Sequence, residues 1–520
     1  MATHNLNDDL LNEDSQPARN TQVKDAAQPT TQRDEASWVG EELQLGDVAQ
    51  LDEVLQFDEK LLLGEVLQLS DAAEGLLRVR PDVVRYLAES YRALYIEDQA
   101  LTRPVRHALA TIAARRQGNE VLTRHHGALA DPALIGEELP DDLKLEAIIE
   151  HVDLITVSPG LVEPEDQYTL QLAGVTPEEI VLLSQIVAYT STLVRVIDGY
   201  ALLAGESAAS DTVTPEASRT QEVSALLAGE SAGADAQQDS VPQDSAALDF
   251  ATLEPETPQA LNILNQATPQ VPTTLNPTTP LARAVPDLVT PLERPTVAAG
   301  RIPAPKVRTT RGSEIPTAFT TDVLDWEPWV TPPSVNELTE AQLDSFASKA
   351  AANSEYFRLL ALVPNVLKAR SALDNAIFLG ENGLPRGERE LAAAVTSKVN
   401  GCIFCASVHA RKAAFQTKRP EDVDRLLAVS LSRDENWLPA EVEHLAEGQD
   451  ERWNALILFE ARLSQLIPQA TAADVERLYA AGLTPEQIGD AILSVAFFSW
   501  ANRLMLSLGE PAIPGTGLAR

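Results

Sequence analysis

Cysteine is almost missing from this chain, with 2 in 520 residues, and methionine is as scarce, also 2. So few thiols exclude a zinc module built on four cysteines. Aromatic residues make up only 5% against a hydrophobic content of 44%, so the cores are expected to be Ala/Leu-rich helix packing. Basic residues are outnumbered, 40 Lys and Arg to 77 Asp and Glu, for a net charge of −37. That balance argues against a nucleic-acid or anionic-membrane partner, because phosphate is bound by Lys and Arg. No run approaches the roughly 18 uninterrupted apolar residues of a membrane span. The opening Met1-Ala2-Thr3-His4-Asn5-Leu6 has neither a basic nor an apolar signal region. We therefore expect a soluble, cytoplasmic protein with no membrane association. Its length suggests two to four domains.

What is present is concentrated in Asn400-Gly401-Cys402-Ile403-Phe404-Cys405-Ala406-Ser407-Val408-His409, which holds both cysteines. On a helix Cys402, Cys405 and His409 stand at i, i+3 and i+7, on one face. Asn400-Gly401 is a helix stop, so Glu390 belongs to a preceding helix that begins near Leu384-Pro385-Arg386. A free thiol, with pKa roughly 8.5, is only a few per cent ionised at neutral pH, and a helix N-terminus lowers that pKa. His409 is placed to exchange a proton with Cys405, and Glu390 to orient the imidazole or relay the proton. Half of a zinc site and a pair of inert buried thiols are the bland alternatives. The first lacks a second Cys pair, and His409 and His444 are the only histidines in this half. The second would suit thiols far apart and unaccompanied better.

Glu390, eleven residues, Cys402-x-x-Cys405, three residues and His409 resemble the signature of the alkylhydroperoxidase-D-like, or carboxymuconolactone decarboxylase, superfamily. Arg389-Glu390-Leu391, Asn400-Gly401-Cys402 and Asn502-Arg503 are similar to that family's flanking text. Phe404 departs from it, standing where some family peroxidases carry a second histidine. The resemblance implies helical domains that assemble as trimers or hexamers. It also implies disulfide chemistry reset by an external dithiol of the dihydrolipoyl type, with no bound cofactor and no metal.

Taken in order, residues 1–40 read as a disordered acidic tail and 41–204 as a helical domain. Residues 205–320 read as a disordered Pro-rich linker, 321–510 as the domain with the cysteines, and 511–520 as a loose tail. Between Pro215 and Pro316 the prolines come too densely for helix or sheet interior. Ala201 to Ala208 recurs as Ala225 to Ala232, a slipped duplication or a short docking helix. The basic island Arg301, Lys306, Arg308, Arg311 is read as solvated rather than as lying on the acidic domains. Trp326 and Trp329 are expected to pack as an arm on a domain surface. Helices are expected over 337–351, 354–376 with a break at Pro364, 388–399, 403–417, 452–467, 472–481 and 485–507.

The two helical domains are internal copies. Pro81, Leu77, Leu101, Arg106, Gly118 and His126 match Pro364, Leu360, Leu384, Arg389, Gly401 and His409 at one offset, 364 − 81 = 283. Gly174 to Glu178 match Gly482 to Glu486, and Arg195 matches Arg503, at 482 − 174 = 308. The difference, 308 − 283 = 25 residues, falls between Gln416 and Gln449. In the first copy His107, Asn119 and Leu122 replace Glu390, Cys402 and Cys405, so it cannot run disulfide chemistry. It reads as a structural copy, with a cysteine-independent reaction at His126 beside His125 as the alternative.

The chain is thus expected to be all-α, with two alkylhydroperoxidase-D-like domains of which the second is active. A trimer of paired domains is one assembly; the first copy serving as structural partner of the second within one chain is the other. The activity expected is reduction of alkyl hydroperoxides: Cys405 attacks, Cys402 resolves, and His409 and Glu390 handle the proton, with Ile403, Phe404, Phe497, Phe498 and Trp500 as candidate alkyl-pocket residues. Three other readings stand beside it: a carboxymuconolactone-type decarboxylase, a general thiol–disulfide oxidoreductase and a non-catalytic scaffold.

Overall fold

Among the described residues, helix formers, N-caps and prolines at first-turn positions set out α1 (Asp71–Leu77), α2 (Pro81–Tyr91), α3 (Arg103–Arg116), α4 (Glu120–Gly127), α5 (Leu143–Val157), α6 (Pro164–Leu172) and α7 (Pro177–Leu203) in the first half. A computed structural model of the chain describes residues 58–206, 292–303 and 306–517. The acidic tail and most of the proline-rich segment, with its Ala225 to Ala232 repeat, lie outside these residues. The second half contains α8 (Glu340–Asp344), α9 (Glu355–Leu360), α10 (Pro364–Phe378), α11 (Arg386–Asn400), α12 (Ile403–Thr417), α13 (Pro420–Ala428), α14 (Glu451–Ser464), α15 (Ala472–Ala480) and α16 (Pro485–Leu508).

Helix starts repeat at the offsets read from the sequence. α2, α3 and α4 return 283 residues later as α10, α11 and α12, and α5, α6 and α7 return 308 later as α14, α15 and α16. α13 and the 3-10 turn Val442–Ala446 fill the inserted stretch. The resemblance extends to anchoring side chains. Arg106 donates to the carbonyls of Leu94 and Glu97, and Arg389 to those of Ile377 and Gly380, the same positions displaced by 283.

Among the described residues the fold is all-α apart from one two-stranded ribbon. Long α7 and α16 begin with capping boxes at Thr176 and Thr484, each followed by proline at the first helical position. They pack antiparallel on each other: Ser507 Oγ donates to Ser184, Trp500 Nε1 to Gln185 Oε1 at 2.6 Å, and Thr192 Oγ1 to the Ala496 carbonyl at 3.1 Å. Gly199 permits the close approach, since a Cβ there would stand 2.6 Å from Ile492 Cγ2. Both helices are long and apolar enough to cross a membrane, and 100% and 94% of their most apolar windows are buried inside the protein. The halves share one continuous hydrophobic core.

Four expectations need correction. The helix over 337–351 is broken into a 3-10 turn Val335–Glu337, α8 and a 3-10 turn Lys349–Asn353, because Ser334, Thr339 and Ser348 each take backbone N–H groups and restart the chain. The linker expected to run to 320 is an ordered strap over its described residues, 292–303 and 306–320. Leu292 and Ala298 are buried, Asp153 accepts from Val297 N at 2.8 Å, and Gly300 N donates to the Glu435 carbonyl at 2.8 Å. The basic island lies on the acidic helices: Arg301 pairs with Asp166 (3.0 Å), Lys306 with Glu163 (3.6 Å) and Arg311 with Glu355 (2.6 Å). Finally, the tail after Gly509 is not loose at its start. Strand β1 (Asp325–Pro328) pairs antiparallel with β2 (Gly509–Ala512), and Trp326 Nε1 donates to the Met505 carbonyl at 3.0 Å. The tryptophan arm is thereby fixed to the end of α16.

Candidate active site

The site is built at the junction of α11 and α12. Gly401 takes φ +84°, a left-handed turn that stops α11 and lets α12 fold back against it. Cys402 is the N-cap of α12, its sulfur accepting from Cys405 N at 3.4 Å. Both cysteines are free, with the Sγ atoms 2.6 Å apart. Cys402 is 1% exposed and Cys405 5%. Across the helix pair, His409 Nδ1 lies 2.6 Å from Glu390 Oε2. The four residues singled out in the sequence are therefore brought together by two adjacent helices.

Burial alone would raise the Glu390 pKa, but His409, Lys412 and Arg386 outweigh it and hold the carboxyl below its usual range. Arg386 Nε stands 3.6 Å and Lys412 Nζ 4.0 Å from its Oε1. Burial depresses His409, with Glu390 opposing, so the imidazole is neutral at pH 7. With Nδ1 engaged by the carboxylate, Nε2 is the ring nitrogen left to take a proton. Burial pushes the Cys402 thiol up, the Cys405 hydrogen bond adds to this, and Asn502 opposes it. Asn502 itself donates to Ser397 Oγ at 2.9 Å and accepts from Asn400 at 3.0 Å, so the Asn502-Arg503 text supplies a support for the thiol turn.

An aromatic wall stands beside the imidazole. Phe498 packs edge-on to His409 with centroids 4.3 Å apart, and Phe378 lies 5.5 Å from Phe498 and 6.1 Å from Phe497. Phe404 and Ile403 are half-buried. Trp500 is fully buried behind this wall, its ring 6.4 Å from Phe497 and its indole N–H donating to Gln185 of the first half. Sequence reasoning missed Phe378, Lys412, Arg386, Asp374, Arg370 and Tyr356. Helical spacing held a signal for two of them, since Arg386 is four residues before Glu390 and Lys412 three after His409.

The first half keeps the geometry without the thiols. His107 Nδ1 and His126 Nδ1 are 2.9 Å apart where Glu390 and His409 stand in the second half. Asn119 caps α4 by accepting from Leu122 N at 3.0 Å, in the place of Cys402. Tyr95 stacks on His107 at 4.9 Å and Tyr91 reaches His125 Nε2 at 2.8 Å. Burial lowers His107 to about 3 and His125 to about 4. Among the described residues no group of three or more His, Cys, Asp or Glu converges as metal ligands.

Residues 364–435 match the model of the carboxymuconolactone decarboxylase family. That stretch contains α10 to α13, and with them Glu390, both cysteines and His409, so the match falls on the thiol-bearing segment. No curated protein matches the chain.

Proposed function

We propose that this protein is a thiol peroxidase that reduces organic hydroperoxides through a Cys405–Cys402 disulfide cycle. The observation that carries the reading is a pair of free thiols, Sγ atoms 2.6 Å apart, at the start of a helix that presents His409 to Glu390 of the preceding helix. Cys405, the more exposed thiol, gives its proton to His409 Nε2 and its thiolate attacks the terminal peroxide oxygen. The O–O bond breaks, the departing alkoxide takes the proton from the imidazolium, and Cys405 is left as a sulfenic acid. Cys402, held as a thiol by burial, attacks that sulfur and expels water, closing the disulfide. Glu390, kept ionised by His409, Lys412 and Arg386 against the effect of burial, stabilises the transient imidazolium. A dithiol donor, of the dihydrolipoyl type that the resemblance implies, supplies two electrons and two protons to restore the thiols.

The test is stopped-flow oxidation of the reduced protein by an alkyl hydroperoxide, with intact mass before and after, for wild type and Cys405→Ser. Wild type should lose two hydrogens rapidly, and the variant should form no disulfide. Wild type reacting no faster than a free thiol would overturn the reading. The family match gives a decarboxylase reading its own support. A lactone-acting activity that survives Cys402→Ser and Cys405→Ser but not His409→Gln would establish it instead.

A further inference from the structure

Arg370 on α10 is 3% exposed, yet its Nε has no hydrogen-bond partner and its guanidinium rests on the Phe497 ring at 4.9 Å. Asp374, one turn on, acts on it only through space. A buried guanidinium with an unmade hydrogen bond and only a distant carboxylate to balance it is costly. Nearby, the Tyr356 hydroxyl of α9 is shielded from solvent and also unpartnered, while its ring is half-buried and held edge-on by Trp326 at 5.4 Å. Tyr356 lies in the field of Arg370 and of both thiols.

The duplication acts as an internal control on these two residues. At an offset of 283 their counterparts are Leu87 and Ala73, 1% and 0% exposed, in the core of the half without cysteines. The fold is therefore complete with aliphatic side chains at both places. At these two positions a buried cation and an orphaned hydroxyl occur only in the half that carries the thiols. From Arg370 the aromatic wall leads back to the site: Phe497 stands 5.9 Å from Phe498, which touches His409.

Resting on the peroxidase reading, we propose that the substrate hydroperoxide carries a carboxylate, which Arg370 and the Tyr356 hydroxyl bind while its alkyl stem lies along Phe497 and Phe498 and its O–O bond faces Cys405. Fatty-acid hydroperoxides have this chemistry: an anionic head, an apolar stem and a peroxide at a distance. Arg370 and Tyr356 then set specificity without touching the reacting atoms.

The experiment compares a fatty-acid hydroperoxide with its methyl ester in oxidising the reduced full chain, for wild type, Arg370→Met, Arg370→Lys and Tyr356→Phe, each checked for its helical melting curve. Wild type should use the acid about tenfold more efficiently than the ester, the expected worth of one charge-assisted contact. Arg370→Met should remove that ratio, Arg370→Lys should keep part of it and Tyr356→Phe should reduce it. Dodecanoate should slow oxidation of wild type competitively and protect it against heating, and do neither in Arg370→Met. Equal use of acid and ester by wild type would overturn the proposal, as would equal slowing of both in a folded Arg370→Met. A defect confined to re-reduction by dihydrolipoate would move the carboxylate to the donor and also overturn it. If neither peroxide reacts with wild type, the peroxidase reading fails, and dodecanoate protection still decides whether the carboxylate site exists.

Discussion

Cys402 occupies a position where local stability would favour another residue. The N-cap of α4 is Asn119, whose Oδ1 accepts from Leu122 N at 3.0 Å, while the equivalent cap of α12 is a sulfur at 3.4 Å from Cys405 N. Sulfur is a weak acceptor, and a good N-cap is worth about 1 kcal/mol. The second half gives up that cap for a thiol beside Cys405, which is the mark of chemistry overriding propensity. Replacing the sulfur with a hydroxyl should separate the two demands. In Cys402→Ser we expect a urea midpoint equal to wild type or higher, corresponding to a few tenths to about 1 kcal/mol. Peroxide should then convert Cys405 to a sulfenic acid that dimedone traps, with no disulfide in the mass spectrum. A large loss of stability would show that the Cys402 sulfur is a packing element, and failure to trap a sulfenic acid would remove Cys405 as the attacking thiol.

Among the elements, α14 carries the least compensated group. Glu460 is fully buried and neither carboxyl oxygen has a partner, while its counterpart in α5, Val152, is equally buried and aliphatic. Burial, with Glu388 adding, pushes its pKa well above the carboxylate range, because the charged form would be stranded away from water. A folded pKa raised above the unfolded value leaves stability intact below the unfolded pKa, roughly 4.3, and removes it as pH rises toward the folded one. Glu460→Leu should therefore stabilise at pH 7 by on the order of 1 kcal/mol or more, and the gain should shrink toward pH 4.5. Urea unfolding at the two pH values checks this; a gain that is absent at pH 7, or the same at both, would refute it. The element plan was largely legible in the sequence, because proline, Thr caps and the Asn400-Gly401 stop fix helix ends locally, and the two offsets transfer each boundary between halves. The thiol, imidazole and carboxylate were legible for the same reason, being spaced along two adjacent helices. Arg370, Tyr356 and Glu460 were not, since only packing shows that a charged or hydroxylated side chain on an amphipathic helix points inward without a partner. The strap from Leu292 was also missed, because proline density reports the absence of helix and says nothing about docking by single arginines and buried apolar residues.

On the scale of the whole molecule, the halves are joined as a reciprocal pair. Arg195 of α7 donates to the Ser464 and Leu466 carbonyls at the end of α14, at 3.5 and 3.3 Å, and also to that of Gln465. Arg503 of α16 donates to the Thr156 carbonyl near the end of α5 at 3.1 Å. Ser464 and Thr156 are themselves 308 apart, so one contact is the other carried through the internal symmetry. Each half thus closes the helix end of its twin, the half without cysteines included. Removing one of these arginines leaves buried carbonyls unpaired in the opposite half, a cost of about 3 kcal/mol. The described tryptophans, Trp326, Trp329, Trp437, Trp453 and Trp500, all belong to the second half, whereas helical circular dichroism reports both. Because the halves share one core, Arg195→Met should lower the urea midpoints of tryptophan fluorescence and of ellipticity by the same amount, in one transition. Two separated transitions, or a shift in ellipticity that the fluorescence does not follow, would mean that the halves fold independently, and the first would then need a function of its own.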